Sequence, residues 1–127
     1  MRYIIDTCIL VWILQGNTRA LGGLSDIILN TKNDVTVSVA SYWEIIIKEA
    51  RGKIIIKDDI LRGVEEAGIR WLDVKLLHVE HLQHLPALHN DPFDRIIMAQ
   101  SIVEGCEVLT TDRYILQYNL KDQAVVN

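Results

Sequence analysis

The sequence predicts an α/β protein, a three-layer α/β/α fold around a central, largely parallel sheet. Short apolar, β-branched runs alternate with longer segments of helical periodicity. Helical stretches separate the strands, which suits parallel pairing covered on both faces. No repeat, linker or low-complexity tract breaks the series, so residues 1–127 read as one domain, long enough to bury a continuous core.

The elements follow in order. Tyr3-Ile4-Ile5 is a brief β-type run ending at Asp6. Residues 7–15 read as a helix stopped by Gly16-Asn17, and 24–30 as a second helix. Val35-Thr36-Val37 is the next strand, closed by Ser38, after which a helical pattern runs to Ala50 and stops at Arg51-Gly52. Ile54-Ile55-Ile56 suits a strand by composition, but its neighbours leave that assignment open. Residues 58–67 read as helix, 69–72 as strand, and 79–85 as a helix stopped by Pro86. Asp91 stands at an N-cap position with Pro92 as the first helical residue. That helix runs to Glu104 and ends at Gly105. Residues 107–110 form a strand, a helical turn follows Asp112, and Ala124-Val125-Val126 is the last strand.

Composition narrows the function classes. Hydrophobic residues make up 50% of the chain and charged residues 24%, which excludes disorder. A formal charge of −4 argues against coating nucleic acid by simple attraction. It leaves room for handling a phosphodiester through metal ions, because clustered carboxylates themselves lower the net charge. Cys8 and Cys106 each lie in an apolar stretch and read as buried thiols in a reducing cytosol. Asp6 interrupts the apolar run after Arg2, no small-residue cleavage site follows Leu14, and no segment approaches a membrane span. A cytoplasmic protein is expected.

Three acids fall where such sheets bind ligands, at the carboxyl ends of strands. Asp6 directly follows the first strand, Asp112 follows Val108-Leu109-Thr110 with one residue between, and Asp94 lies in the first turn of the Pro92 helix. Glu44, about two turns into the helix after Ser38, could reach the same edge. Magnesium is commonly held by a few carboxylates plus waters and substrate phosphate. Two such ions can activate a water and stabilise the leaving oxygen. No Cys/His spacing suggests zinc.

Each acid also has a plain structural reading. Ser41-Tyr42-Trp43-Glu44 matches a capping box, and Glu44 could pair with Lys48. Asp91 and Asp94 suit the positive end of a helix. Asp6 could cap the first helix, and Asp112 the turn that follows it. Taken singly, Glu44 and Asp91 read better as structural. Convergence shifts the balance: four carboxylates on one edge would repel and raise one another's pKa, so a metal, Mg2+ or Mn2+, is their natural partner.

Four segments carry a family resemblance. They are Met1-Arg2-Tyr3-Ile4-Ile5-Asp6-Thr7, Val37-Ser38-Val39-Ala40-Ser41-Tyr42-Trp43-Glu44-Ile45, His89-Asn90-Asp91-Pro92-Phe93-Asp94-Arg95-Ile96-Ile97-Met98-Ala99-Gln100 and Leu109-Thr110-Thr111-Asp112. In order and spacing the chain resembles the PIN-domain proteins almost from end to end, and most closely the VapC-type toxins of prokaryotic toxin–antitoxin pairs. Asp91-Pro92-Phe93-Asp94-Arg95 is the specific part. The resemblance implies a Mg2+- or Mn2+-dependent endoribonuclease that leaves 5′-phosphate and 3′-hydroxyl ends, works as a homodimer and is silenced by a small antitoxin protein. By position it assigns Asp6, Glu44, Asp94 and Asp112 to the acidic set, with Asp91 as a possible extra carboxylate. Thr110 matches the family's hydroxyl residue near the site. Ser38 and Thr7 could do similar work, though capping is the better expectation for both. Arg95 could touch phosphate or form a salt bridge. Cys8 stands where close relatives often carry His, and because it flanks the acid rather than replacing it, little effect on the metal site is expected.

Other features carry less. His78, His81 and His84, followed by His89, enclose no complete ligand set and are expected on a solvated face. Trp12, Trp43 and Trp71 read as core or interface packing rather than a base-stacking platform. Arg51-Gly52-Lys53 could help hold RNA, but reads first as a helix end carrying cations. Ile45-Ile46-Ile47 and Ile54-Ile55-Ile56 exceed one buried face and mark either core or an oligomer or antitoxin contact. Two other function classes compete. A Mg2+-dependent phosphotransferase of the haloacid dehalogenase pattern would want an acid at Cys8, and a receiver domain an Asp after the third strand with a Lys near the fifth. A non-catalytic RNA-binding module is disfavoured by acids at all four positions.

Overall fold

The computed structural model describes residues 1–86, 90–113, 115–116 and 125–126. At its centre is a five-stranded sheet, parallel at every pairing. Its strands are β1 (Arg2–Ile5), β2 (Asp34–Ser38), β3 (Arg70–Leu72), β4 (Glu107–Leu109) and β5 (Val125–Val126). They lie in the order β3-β2-β1-β4-β5. The chain thus builds outward from β1 on one side, then returns to its other side with β4. The crevice beyond the carboxyl ends of β1 and β4 is a topological switch point, where α/β sheets bind ligands. Ile5 is level with Val37 on one neighbour and Leu109 on the other. Asp6, Ser38 and Thr110 therefore emerge side by side.

Alternation along the strands divides the core in two. Tyr3, Ile5, Val35, Val37 and Leu109 pack with α1 (Thr7–Leu14), α2 (Thr18–Leu21), α3 (Leu24–Leu29) and α5 (Ile60–Glu66). Ile4 and Val108 face the other way, against Ile96, Ile97 and Ala99 of α7 (Pro92–Glu104). The helix α4 (Val39–Ala50) serves both layers, with Ala40 in the second cluster and Ile45 in the first. Gly63 brings α5 close to α1: a Cβ there would lie 2.6 Å from Leu14 Cδ2.

Several expectations need correction. Asn17 does not only stop α1; its Oδ1 accepts the Ala20 N–H at 3.1 Å and starts α2. Ile54-Ile55-Ile56 joins no strand among the described residues: Ile54 and Ile56 pack on the first cluster while Ile55 stands in solvent. The helix expected over 79–85 begins earlier, as α6 (Leu76–His81) continued by a 3-10 turn at Leu82–His84. The reason is His78, which is fully buried rather than solvated. Its Nδ1 accepts the Lys75 N–H at 2.9 Å and its Nε2 meets Glu104 Oε2 at 2.8 Å. Cys106 is buried, but Cys8 is exposed. His89 and Ala124 lie outside the described residues. No described helix is long and apolar enough to cross a membrane.

The helix α7 matches its sequence signals residue for residue. Asp91 caps it, accepting the Phe93 and Asp94 N–H groups, and Pro92 opens it. Gly105 ends it at φ 67°, ψ 35°, the left-handed region, and turns the chain into β4. A side chain there costs about 1–2 kcal/mol. Gly105→Ala should therefore lose about 1–2 kcal/mol of stability, read as a lower urea midpoint at an unchanged m-value.

Candidate active site

Each acid arrives from a different element. Asp6 leaves β1 and caps α1, its Oδ1 accepting the Ile9 N–H at 2.9 Å. Its Oδ2 accepts the Thr110 hydroxyl. That same hydroxyl oxygen accepts the Asp112 backbone N–H at 2.9 Å. One threonine thus ties the end of β1 to the turn after β4. Asp112 Oδ1 in turn accepts the Ile115 N–H at 3.3 Å, capping that turn.

Glu44 projects from α4 and is buried. Its Oε2 pairs with Lys48 Nζ at 2.6 Å, whereas the buried Oε1 has no hydrogen-bond partner among the described residues. The Ser41–Glu44 capping box does not form. Ser38 is the N-cap, its Oγ accepting the Ala40 N–H at 3.0 Å, which places Ser41 inside the first turn. Ser41 Oγ instead accepts the Thr7 hydroxyl at 2.9 Å, so Thr7 does not cap α1. Glu44 is left to reach the cleft. Asp91 and Asp94 come from the start of α7. A single cleft of about 530 Å³ is lined by Asp6, Glu44, Lys48, Asp91, Asp94 and Asp112.

The supporting candidates divide. Thr110 lies within the acid network and is fully buried. Ser38 is committed to capping. Arg95 donates to the carbonyls of Pro86 and Leu82, at 3.0 and 3.2 Å, and does not line the cleft. Sequence reasoning missed the Thr7–Ser41 hydroxyl pair, which no periodicity announces. It saw Lys48 only as a helix-surface partner, although Lys48 lines the cleft itself.

The electrostatics reflect crowding. Burial pushes the Asp6 carboxyl up to about 6; hydrogen bonds from Thr110 and Ile9 oppose this, and the charges of Asp112 and Glu44 add to it. Glu44 holds Lys48 protonated more firmly than usual, with smaller contributions from Asp91 and Asp94. The Cys8 thiol is pushed up to about 11, first by partial desolvation against the cleft wall and then by Asp6.

The donor set fits a hard divalent cation, being carboxylate and hydroxyl oxygens throughout. Glu44 Oε1 is the specific sign. A buried oxygen left unbonded costs about 1–3 kcal/mol, which a cation would offset. Among the described residues no three of these acids come close enough to hold one ion between them. One or two carboxylates with waters and phosphate oxygens, the usual magnesium shell, is the arrangement that fits.

The PIN-domain family model matches residues 3–120, and the chain belongs to that family. Its fold is that of several solved complexes. VapBC2 from Rickettsia felis, bound to a DNA fragment from its promoter, superposes with a TM-score of 0.70 at 14% identity, covering 100% of this chain and 98% of that one. DNA-bound VapBC from Salmonella typhimurium gives 0.70 at 17% identity, covering 99% and 97%. FitAcB from Neisseria gonorrhoeae gives 0.65 at 20% identity, covering 98% and 96%. At these identities the likeness is one of fold. No curated protein matches the chain by sequence.

The Asp6 shift has a testable sign. Its carboxyl titrates near 6 in the folded chain against an ordinary 3.8, so the folded state binds the proton more tightly. The associated stability is present below about pH 4 and lost as pH rises toward 6, leaving a cost of roughly 3 kcal/mol at neutral pH. Asp6→Asn, measured in EDTA, should raise the melting temperature at pH 7.5. The gain should shrink to nothing near pH 4.

Proposed function

We propose that the chain, acting over residues 1–127 as one nuclease domain, is a cytoplasmic Mg2+- or Mn2+-dependent endoribonuclease and the toxin of a toxin–antitoxin pair. The observation that carries this reading is the carboxylate-lined cleft at the switch point of a PIN fold. Asp6, Glu44, Asp94 and Asp112 would hold the metal, one or two carboxylates to an ion, with waters and phosphate oxygens completing its shell. When bound, the metal supplies an activated water and neutralises charge at the scissile phosphate. Hydrolysis there would join a water oxygen to phosphorus as the P–O3′ bond breaks and a proton passes to O3′, leaving 5′-phosphate and 3′-hydroxyl ends. The chain's own groups prepare that step. Thr110 fixes the rotamer of Asp6 and the backbone at Asp112 together, and Lys48 orients Glu44. Asp6 must lose its proton before it binds a cation, so protons compete with the metal and cleavage weakens on acidification. Asp91 gives its oxygen to the α7 backbone and stays a cap.

The partner reading rests on the fold likeness to VapBC complexes and on exposed apolar surface. The isoleucine triplets divide: Ile45 is core, while Ile46 and Ile55 are exposed. A groove of about 400 Å³ runs between α4, α6 and α7, lined by Val39, Trp43, Val79, Leu82 and Phe93. Leu76 and Leu77 stand in solvent on α6. Such area suits a homodimer contact and a seat for a small antitoxin.

The test is cleavage of labelled single-stranded RNA by the purified chain. Asp6→Asn and Asp94→Asn should each lose at least about a hundredfold in rate while remaining folded by circular dichroism. Full activity in either variant, or in excess EDTA, overturns the reading. Asp91→Ser should retain cleavage and most of the stability, whereas Asp91→Ala should lose roughly 0.5–2 kcal/mol with the cap. Expression alone should arrest growth, and the neighbouring antitoxin gene should restore it. A monomer by light scattering that is harmless when expressed counts against the toxin assignment.

A further inference from the structure

The acid-lined cleft poses a problem for any polyanionic substrate. Bound cations neutralise the phosphate being cut, but the flanking phosphates still meet a chain of net charge −4. They need fixed positive groups beside the cleft.

A second groove of about 410 Å³ supplies them. It shares Glu44, Lys48 and Asp91 with the acid cleft and continues past Arg51, Lys53 and Phe93. Arg51 and Lys53 are exposed, and among the described residues neither side chain has an ion-pair or hydrogen-bond partner. Arg2, Arg62 and Arg70, by contrast, are each tied to carboxylates. The turn that presents them is set by backbone bonds. Gly52 adopts φ 69°, its N–H bonding Glu49 O at 3.0 Å, and the Lys53 N–H bonds Lys48 O at 2.9 Å. This is a Schellman closure, which holds the backbone of Lys53 against that of Lys48. A helix C-terminus favours cations by itself. That preference does not account for a groove joining them to the acid cleft. Beside them the Phe93 ring is braced by Trp43, edge-on at 5.1 Å and 84°, offering a fixed aromatic face on which a base can stack.

We infer that Arg51 and Lys53, continuous with Lys48 at the cleft, bind the phosphates of single-stranded RNA flanking the bond to be cut. The inference rests on the nuclease reading for its substrate and goes beyond it by giving the strand a path, along the C-terminal end of α4.

The test reads binding apart from cleavage. A labelled single-stranded RNA is titrated with the full chain by fluorescence anisotropy, with Ca2+ in place of Mg2+, across a range of salt. Arg51→Ala/Lys53→Ala should weaken the Kd about tenfold at moderate salt. Two lost phosphate contacts should also reduce the slope of log K against log salt by about 1.4. Arg19→Ala/Lys32→Ala removes the same charge at residues that line neither groove, and should change both far less. Calorimetric Mn2+ affinity should be the same in all three proteins. An unchanged Kd and slope in the Arg51/Lys53 variant, an equal loss in the control pair, or no binding by the unmodified chain overturns the inference. Binding through Arg51 and Lys53 without any cleavage in Mn2+ leaves it standing and overturns the nuclease reading alone.

Discussion

Parallel pairing of β1 with both β2 and β4 is the constraint on which the remaining structure depends. A parallel sheet has to be covered on both faces, and each strand must be followed by a crossover. Here α1 starts directly after β1 and α4 directly after β2, so both helices begin at the edge where Asp6 and Ser38 emerge. The return helix α7 starts at that edge too and ends across the molecule, where the Glu104 carbonyl accepts a bond from Arg2. Three helix beginnings and the ends of β1, β2 and β4 therefore meet in one place. Carboxylates distant in sequence thus become neighbours.

That meeting place is costly to the fold. Asp6 is nearly excluded from water, Glu44 has one oxygen unbonded among the described residues, and Asp112 sits close enough to raise the Asp6 pKa. The costs are local and partly offset. Thr110, Ile9 and Lys48 each donate to a carboxylate that would otherwise face only its own kind. Structural and chemical duties overlap at the same atoms: Asp6 is at once helix cap and cleft acid. Asp91 likewise caps α7 through Oδ1 while lining the same cleft.

Much of the fold was legible because its signals are local. The alternation of Ile4 against Tyr3 and Ile5 reports two buried faces, and Asp91-Pro92 with Gly105 bounds α7 on both sides. The acidic positions were legible too, since Asp6 and Asp112 directly follow strands and Asp94 opens a helix. What escaped depends on contacts across the chain. His78 looked like one of a solvated row, because nothing nearby shows that Glu104 will receive its ring. Ser41 looked like a cap until Ser38 took that position. The isoleucine triplets could not be assigned from composition, because burial is decided by which helix lies opposite. Cys8 lies in an apolar run yet is exposed, because it lines the acid cleft rather than the core.

Gly63 and Leu14 have a consequence of a different kind. The missing Cβ is what lets the Leu14 methyl come within 2.6 Å of the place it would occupy. Neither residue bears on the cleft, and each is unremarked in its own helix. As a pair they are not free to drift separately, because added volume at one position has to be relieved at the other. A side chain at 63 requires the far end of the Leu14 side chain to turn aside, so how well position 63 tolerates substitution depends on which residue stands at 14.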